Sequence, residues 1–290
     1  MSVLLFPGQG SQSVGMGKDI FNAHPESHIW FEKADDILGF DLSEIMFEGS
    51  EEDLKQTKVT QPAVFLNSFI RYQLNKSNYT ATAVAGHSLG EFTALIANGV
   101  LNFEEGLSLV SQRAMAMQKA CDDTKGTMAA ILGLEDDVVE KLCHETQGIV
   151  VAANYNCPGQ LVISGEIEAI EKAVESATEA GARRALVLNV NGAFHSPLMS
   201  SAQSQLRKAI ENTKFKNPSV PIYQNVTGKA EDDPDVIKSN LNAQLTSSVK
   251  WTQTMKNMVS DGHDTYIEFG AKVLSGFLRR VDRSLTVTQL

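Results

Sequence analysis

The stretch Ala81-Thr82-Ala83-Val84-Ala85-Gly86-His87-Ser88-Leu89-Gly90-Glu91-Phe92-Thr93-Ala94-Leu95-Ile96-Ala97-Asn98-Gly99 decides the fold. Ala81 to Ala85 is a small apolar run that reads as a strand. Glu91 to Asn98 reads as a helix, closed by Gly99 in a left-handed end. Between them, Gly86-His87-Ser88-Leu89-Gly90 fits G-x-S-x-G. A sharp strand-to-helix turn strains the serine backbone and leaves its hydroxyl exposed above the sheet as a nucleophile, and the glycines leave room for neighbouring backbone. The amide of Leu89, at the start of the helix, is placed to donate to an oxyanion. The competing reading is a chance match in a small-residue turn, and the flanking strand and helix weigh against it.

Working outward, Val3 to Phe6 reads as a buried strand ended by Pro7-Gly8, with Gly8-Gln9-Gly10-Ser11-Gln12 as a glycine-rich turn. A dinucleotide reading of Gly8-Gln9-Gly10 fails, because the sixth position is Ser13 and Pro7 stiffens the entry. Two readings of the loop stay open: delivery of the Gln9 amide as a second oxyanion donor, or a plain turn. Helices are predicted over 25–38, over 61–74 with Pro62 in the first turn, and over 104–120, where Leu107, Val110, Ala114 and Met117 recur at helical spacing. After Gly126 the rhythm changes. Strands are expected at Thr127–Leu132, Gly148–Ala153, Gln160–Ser164 and Ala185–Val190, with helices over Glu135–Glu145 and around Ile167, Ile170, Val174 and Ala177. That order, β-α-β-β-α-β, is the ferredoxin-like plan. The predicted architecture is therefore α/β. A hydrolase-like core with a parallel sheet comes from residues 1–125 and 193–290, and a ferredoxin-like subdomain is inserted at 126–192.

Composition narrows the function. At 290 residues, 42% apolar and 21% charged, the chain is an ordinary globular protein. A net charge of -10 argues against nucleic acid as a partner, and any anionic ligand must meet a local basic spot. Three cysteines (Cys121, Cys143, Cys157) without a C-x-x-C pair argue against disulfides and zinc and for a reducing, cytoplasmic location. No window approaches a membrane span.

Six histidines compete to serve Ser88 as base. His24 and His28 are spaced like a helical metal pair but lack a third ligand, so they read as solvated. His87 adjoins the nucleophile and must point elsewhere. His144 lies in a charged helix and His263 in a polar turn. His195 follows a strand in Asn191-Gly192-Ala193-Phe194-His195-Ser196-Pro197, where loops carry catalysis, although taken alone it is as well read as a core or surface histidine. A hydrolase triad would place an acid between serine and histidine. None of the acids there stands out, so a backbone or amide carbonyl is expected to orient the base, which suits transfer to a thiol better than hydrolysis. Arg113 is the basic residue of a neutral, methionine-rich helix, with Met117 on its face. It either snorkels to water or holds a buried carboxylate by paired hydrogen bonds.

Phe6-Pro7-Gly8-Gln9-Gly10-Ser11-Gln12, Gly86-His87-Ser88-Leu89-Gly90-Glu91, Arg113 with Met117-Gln118, Ala193-Phe194-His195-Ser196, and Gln244 ahead of Val249-Lys250-Trp251 occur in this order. Together they resemble malonyl-CoA:acyl carrier protein transacylases over nearly the whole chain. The resemblance implies Ser88 as nucleophile, His195 as base, and the Gln9 and Leu89 amides as oxyanion donors. It further implies Arg113 on the malonyl carboxylate and a Gln244 carbonyl orienting His195. Malonyl-CoA and a phosphopantetheinylated acyl carrier protein are the implied substrates, with no metal or redox cofactor. Phe194 departs from many fatty-acid members, which carry a smaller polar residue there, and looks more like malonyl-selective acyltransferases of polyketide synthases. Met117 and Phe194 are thus expected to shape the acyl pocket, and the pattern suits a discrete, freestanding polyketide-type transferase with an acyl carrier protein or polyketide synthase module as partner, fatty-acid service staying open. A proofreading acyl hydrolase of the same fold is the alternative, and Arg113 counts against it. Arg183-Arg184 and Arg279-Arg280 are candidate carrier-docking patches, although each is more readily read as solvated surface charge.

Overall fold

A computed structural model describes residues 1–190 and 192–290. Asn191, the first residue of the His195 loop quoted above, lies outside the described residues. Among the described residues ten strands form two separate sheets: β1 (Ser2–Phe6), β2 (Ala81–Gly86), β3 (Thr127–Leu132), β4 (Val150–Cys157), β5 (Gln160–Gly165), β6 (Arg184–Val187), β7 (Ile222–Tyr223), β8 (Ala230–Glu231), β9 (Thr265–Glu268) and β10 (Thr286–Gln289).

The larger sheet runs β10-β9-β1-β2-β7-β8 and is parallel except for the β7–β8 pair. Its centre, β1, is buried along its whole length. Alternation sends its side chains to two layers, as expected for a strand covered on both faces. Leu4 and Phe6 pack with Phe65, Phe69, Phe92 and Leu107, whereas Val3 and Leu5 pack with Trp251, Met255, Leu274 and Leu278.

The smaller sheet, β4-β5-β3-β6, is wholly antiparallel. In chain order it reads β3, helix Asp136–Glu145, β4, β5, helix Ile167–Glu179, β6, the predicted ferredoxin-like plan. Ile131, Ile163, Ile170 and Ala173 fill the layer between this sheet and its helices.

Several boundaries differ from expectation, and three of them bear on the core and the cleft. The helix predicted from residue 61 starts at Thr57, so Pro62 lies in its interior rather than its first turn. The carbonyl that a proline leaves without an N–H partner, four residues back, belongs to exposed Lys58. Strand β4 continues to Cys157 because its outer edge is held: Tyr155 N–H donates to the Val249 carbonyl at 3.0 Å, and Val249 N–H donates to Ala153 at 2.8 Å. Strand β6 ends at Val187, and Leu188 and Val190 instead line the cleft between the sheets.

Candidate active site

The elbow between β2 and the helix Gly90–Ala97 holds Ser88 at φ 51°, a left-handed conformation that side chains other than glycine seldom adopt. Among the described residues His195, at φ 58°, is the other non-glycine residue there. Strain of this kind persists only where the surroundings over-determine it. They do so here by backbone crowding. A Cβ on Gly86 would lie 2.0 Å from the Gly90 carbonyl oxygen, and one on Gly90 2.0 Å from that of Phe6. One on Gly8 would lie 2.3 Å from the His87 carbonyl oxygen, so the Gln9 loop is pressed directly against the elbow. The Ser88 N–H donates to Asn225 Oδ1 at 2.6 Å, and Asn225 Nδ2 donates to the Gly86 carbonyl at 2.7 Å, clamping the turn from the side.

Ser88 Oγ lies 2.8 Å from His195 Nε2, and His195 Nδ1 lies 2.9 Å from the Gln244 backbone carbonyl oxygen. A carbonyl only accepts, so Nδ1 carries the proton and Nε2 is left to take one from Ser88. Burial, reinforced by the Arg113 charge, lowers the His195 pKa from 6.5 to about 3, which keeps the imidazole neutral. A neutral imidazole is the form that can accept a proton. His87 is also buried; its Nε2 pairs with Asn156 Oδ1 at 2.9 Å, its ring packs edge-on against Trp251, and burial lowers its pKa to about 4.

Arg113 does not reach water. It is 1% exposed, and its Nη1 donates to Gln61 Oε1 at 2.7 Å. Its Nη2 donates to Ser88 Oγ and to Gln244 Oε1, each at 3.0 Å, while its Nε is buried with no partner. Gln61 in turn donates from Nε2 to Met117 Sδ at 3.2 Å, so one glutamine ties the two residues that share a face of the helix Phe103–Asp123. Desolvation lowers the Arg113 pKa to about 9 against the opposing pull of Glu91, leaving it a cation at neutral pH.

Gln9, Ser88, Met117, Phe194 and His195 line one cleft of about 530 Å³ between the two sheets. Arg113 is behind that surface and reaches it through its bond to Ser88 Oγ. The Leu89 N–H finds no acceptor among the described residues, and neither does that of Gln9. The structure thus brings together every residue expected at the site. Among the described residues no cluster of side chains could hold a metal ion. His24 is exposed beside Glu26, whereas His28 differs from expectation: its ring stacks on Phe21 at 3.9 Å.

Sequence reasoning missed Glu91, Asn225, Gln61 and Asn156. Glu91 does not orient His195, whose Nδ1 meets the Gln244 carbonyl as expected, but it is fully buried and accepts from Asn225 N–H (2.9 Å), Gln224 Nε2 (3.1 Å) and Gln244 Nε2 (3.1 Å). A signal was present: Glu91 is the one charged residue of the otherwise uncharged helix Gly90–Ala97.

Known proteins share this fold and much of this sequence. The family described as "Acyl transferase domain" matches residues 3–275. A malonyl CoA-acyl carrier protein transacylase of Bacillus subtilis (strain 168) is 39% identical over 286 residues, covering 97% of this chain and 90% of that protein. The crystal structure of an acyl-carrier-protein S-malonyltransferase from Burkholderia pseudomallei 1710b superposes with a TM-score of 0.95 at 39% identity, covering 100% of this chain and 96% of that one. A malonyl-transacylase solved in complex with its type II PKS acyl-carrier protein gives 0.96 at 36% identity, covering 99% and 95%. With the serine elbow, its histidine and the two-sheet architecture in place, this chain belongs to the acyl transferase domain family, among relatives named malonyl CoA-acyl carrier protein transacylases.

Proposed function

We propose that this protein moves a malonyl group from malonyl-CoA to the phosphopantetheine thiol of an acyl carrier protein through an ester on Ser88. The observation that carries the substrate class is Arg113. A buried guanidinium with an unpaired Nε, one Nη donating to the nucleophile, is matched by an acyl group that ends in a carboxylate. Ser88 Oγ gives its proton to His195 Nε2 and attacks the thioester carbonyl. The Leu89 and Gln9 amides receive the developing oxyanion. As the C–S bond breaks, His195 returns the proton to the CoA sulfur. The carrier thiol then runs the same steps in reverse, and the malonyl carboxylate stays on the Nε and Nη2 edge of Arg113 throughout.

His195 works without a carboxylate partner. The Gln244 carbonyl fixes the tautomer but stabilises an imidazolium less than an acid would. The step therefore favours a low-pKa thiol leaving group and a thiol acceptor. No metal or redox group enters this scheme. The 126–192 segment would act as one subdomain closing over the elbow, and Phe194, 7% exposed, would crowd the space beside the malonyl α-carbon. A carrier-bound thiol as acceptor is supported by the relative solved in complex with its type II PKS acyl-carrier protein.

Intact-mass measurement after mixing with malonyl-CoA tests the reading. One malonyl addition is expected on the wild-type protein and none on Ser88→Ala, with His195→Ala slowed at least ~10²-fold. A wild-type protein that stays unmodified would overturn it.

A further inference from the structure

Glu91 takes no part in the proton transfers or in binding the acyl group, yet it is a fully buried acid hydrogen-bonded to Gln244 and Asn225 beside Ser88. An ionised carboxylate without counter-charge is costly to bury, and so is a guanidinium. Arg113 and Glu91 offset one another without touching: the described residues form no direct Arg113–Glu91 ion pair, and the Gln244 side chain stands between them. Gln244 Nε2 donates to Glu91 Oε2 and to the Ser88 carbonyl, which turns its Oε1 towards Arg113 Nη2. The orientation of that amide follows from chemistry, because a carboxylate and a carbonyl only accept. Each charge also moves the other's proton affinity, with Glu91 raising that of Arg113 and Arg113 lowering that of Glu91 against the larger effect of burial.

A direct bidentate ion pair would occupy the guanidinium edge that the substrate needs. No counter-charge at all would make the malonyl carboxylate the sole charged partner of a buried cation, and the ester would be held too tightly to leave. A transferase has to load and unload across the same intermediate. We infer that Glu91 is a positioning residue that balances Arg113 through the Gln244 amide, so that the malonyl ester on Ser88 is bound firmly enough to form and loosely enough to be passed on.

This inference rests on the proposed malonyl transfer, and the test separates the two. Wild-type and Glu91→Gln proteins are equilibrated with malonyl-CoA and free CoA at set ratios in chloride-free buffer. The fraction carrying the ester is read by intact mass. The same titration with acetyl-CoA gives the neutral reference. Two opposite charges about one amide apart interact strongly enough that losing one should raise the malonyl loading constant ~10- to 100-fold. Acetyl loading should change less than about threefold, because that ester carries no charge to compensate. Malonyl release to carrier protein should slow correspondingly, with KM for malonyl-CoA falling alongside kcat.

A mere packing role would impair both acyl groups alike. Equal changes for malonyl and acetyl, or weaker malonyl loading, would overturn the inference. Failure of the wild-type protein to load at all would instead overturn the proposed function. Glu91→Asp keeps the charge and should load malonyl like wild type; behaviour like Glu91→Gln would exclude charge as the cause. If Glu91→Gln does not fold, the double variant Glu91→Gln/Arg113→Met decides. Removing the stranded cation should restore a cooperative melting transition, and no recovery would sink the counter-charge role.

Discussion

Replacing Arg113 with alanine should separate malonyl from acetyl transfer, and the structure sets the scale. The guanidinium already spends Nη1 on Gln61 and shares Nη2 between Ser88 Oγ and Gln244, while Nε has no partner. An incoming carboxylate would gain one new charge-assisted bond to Nε and one to an Nη2 already engaged. Such bonds contribute ~1.5–3 kcal/mol each, so the shared one is taken at the low end and the pair at ~3–4 kcal/mol. That corresponds to a ~10²- to 10³-fold loss of malonyl kcat/KM. Acetyl-CoA has no carboxylate to strand, so its transfer should hold or rise. Arg113→Lys should recover part of the malonyl rate, since an ammonium supplies the charge but not the fork. The assay follows both CoA esters on one preparation, with folding checked by circular dichroism, because Gln61 and Gln244 each lose a donor in the variant. If the two activities fall by the same factor, Arg113 is structural and the substrate class loses its physical basis.

Phe194 is buried against the cleft, so methylmalonyl-CoA should be a poor substrate by roughly 10- to 200-fold, and Phe194→Ala should narrow that gap; equal wild-type rates with the two esters would remove Phe194 as a gate. The pre-steady-state rate of ester formation should not fall at the ordinary histidine pKa of 6.5 but only as pH approaches about 3 or the fold is lost. Stability should respond in the opposite sense to a salt-bridged histidine. Unfolded chains take up a proton near pH 6.5 whereas folded His195 takes one only near 3 and His87 near 4, so melting temperature should decline as pH drops through that window. A rate titrating near pH 6.5, with the fold intact by circular dichroism, would show that His195 is not desolvated as described.

Much of this could be read from the chain because the decisive signals are local. The elbow needs its glycines within two residues of Ser88, and the strand before it and helix after it are set by neighbouring residues. Strand order in the smaller sheet was likewise implied by the β-α-β-β-α-β rhythm. What escaped depends on contacts between distant segments. Pro62 looked like a helix start because proline usually is one, but the packing of Thr57, Val59 and Thr60 extends the helix before it. Strand β4 ran past its expected end because Val249 pairs with it from far along the chain. Glu91 was overlooked since a glutamate in a first helical turn is ordinarily a solvated partner of the helix dipole. Only the convergence of Gln224, Asn225 and Gln244 on its carboxylate gives it a different meaning.

The place of β1 between β2 and β9 has a consequence for how the enzyme is made. Its two neighbours come from opposite parts of the chain, so the central strand keeps one open, apolar edge until the segment around Thr265–Glu268 has been synthesised. Ser88 and His195 are themselves separated along the chain by the entire smaller sheet. Pairings at such sequence separation are slow to close. Nascent chains should therefore be inert towards thioesters and dependent on protection from aggregation for most of their synthesis, and the candidate acyl-transfer site should form late, when the last parallel strands dock.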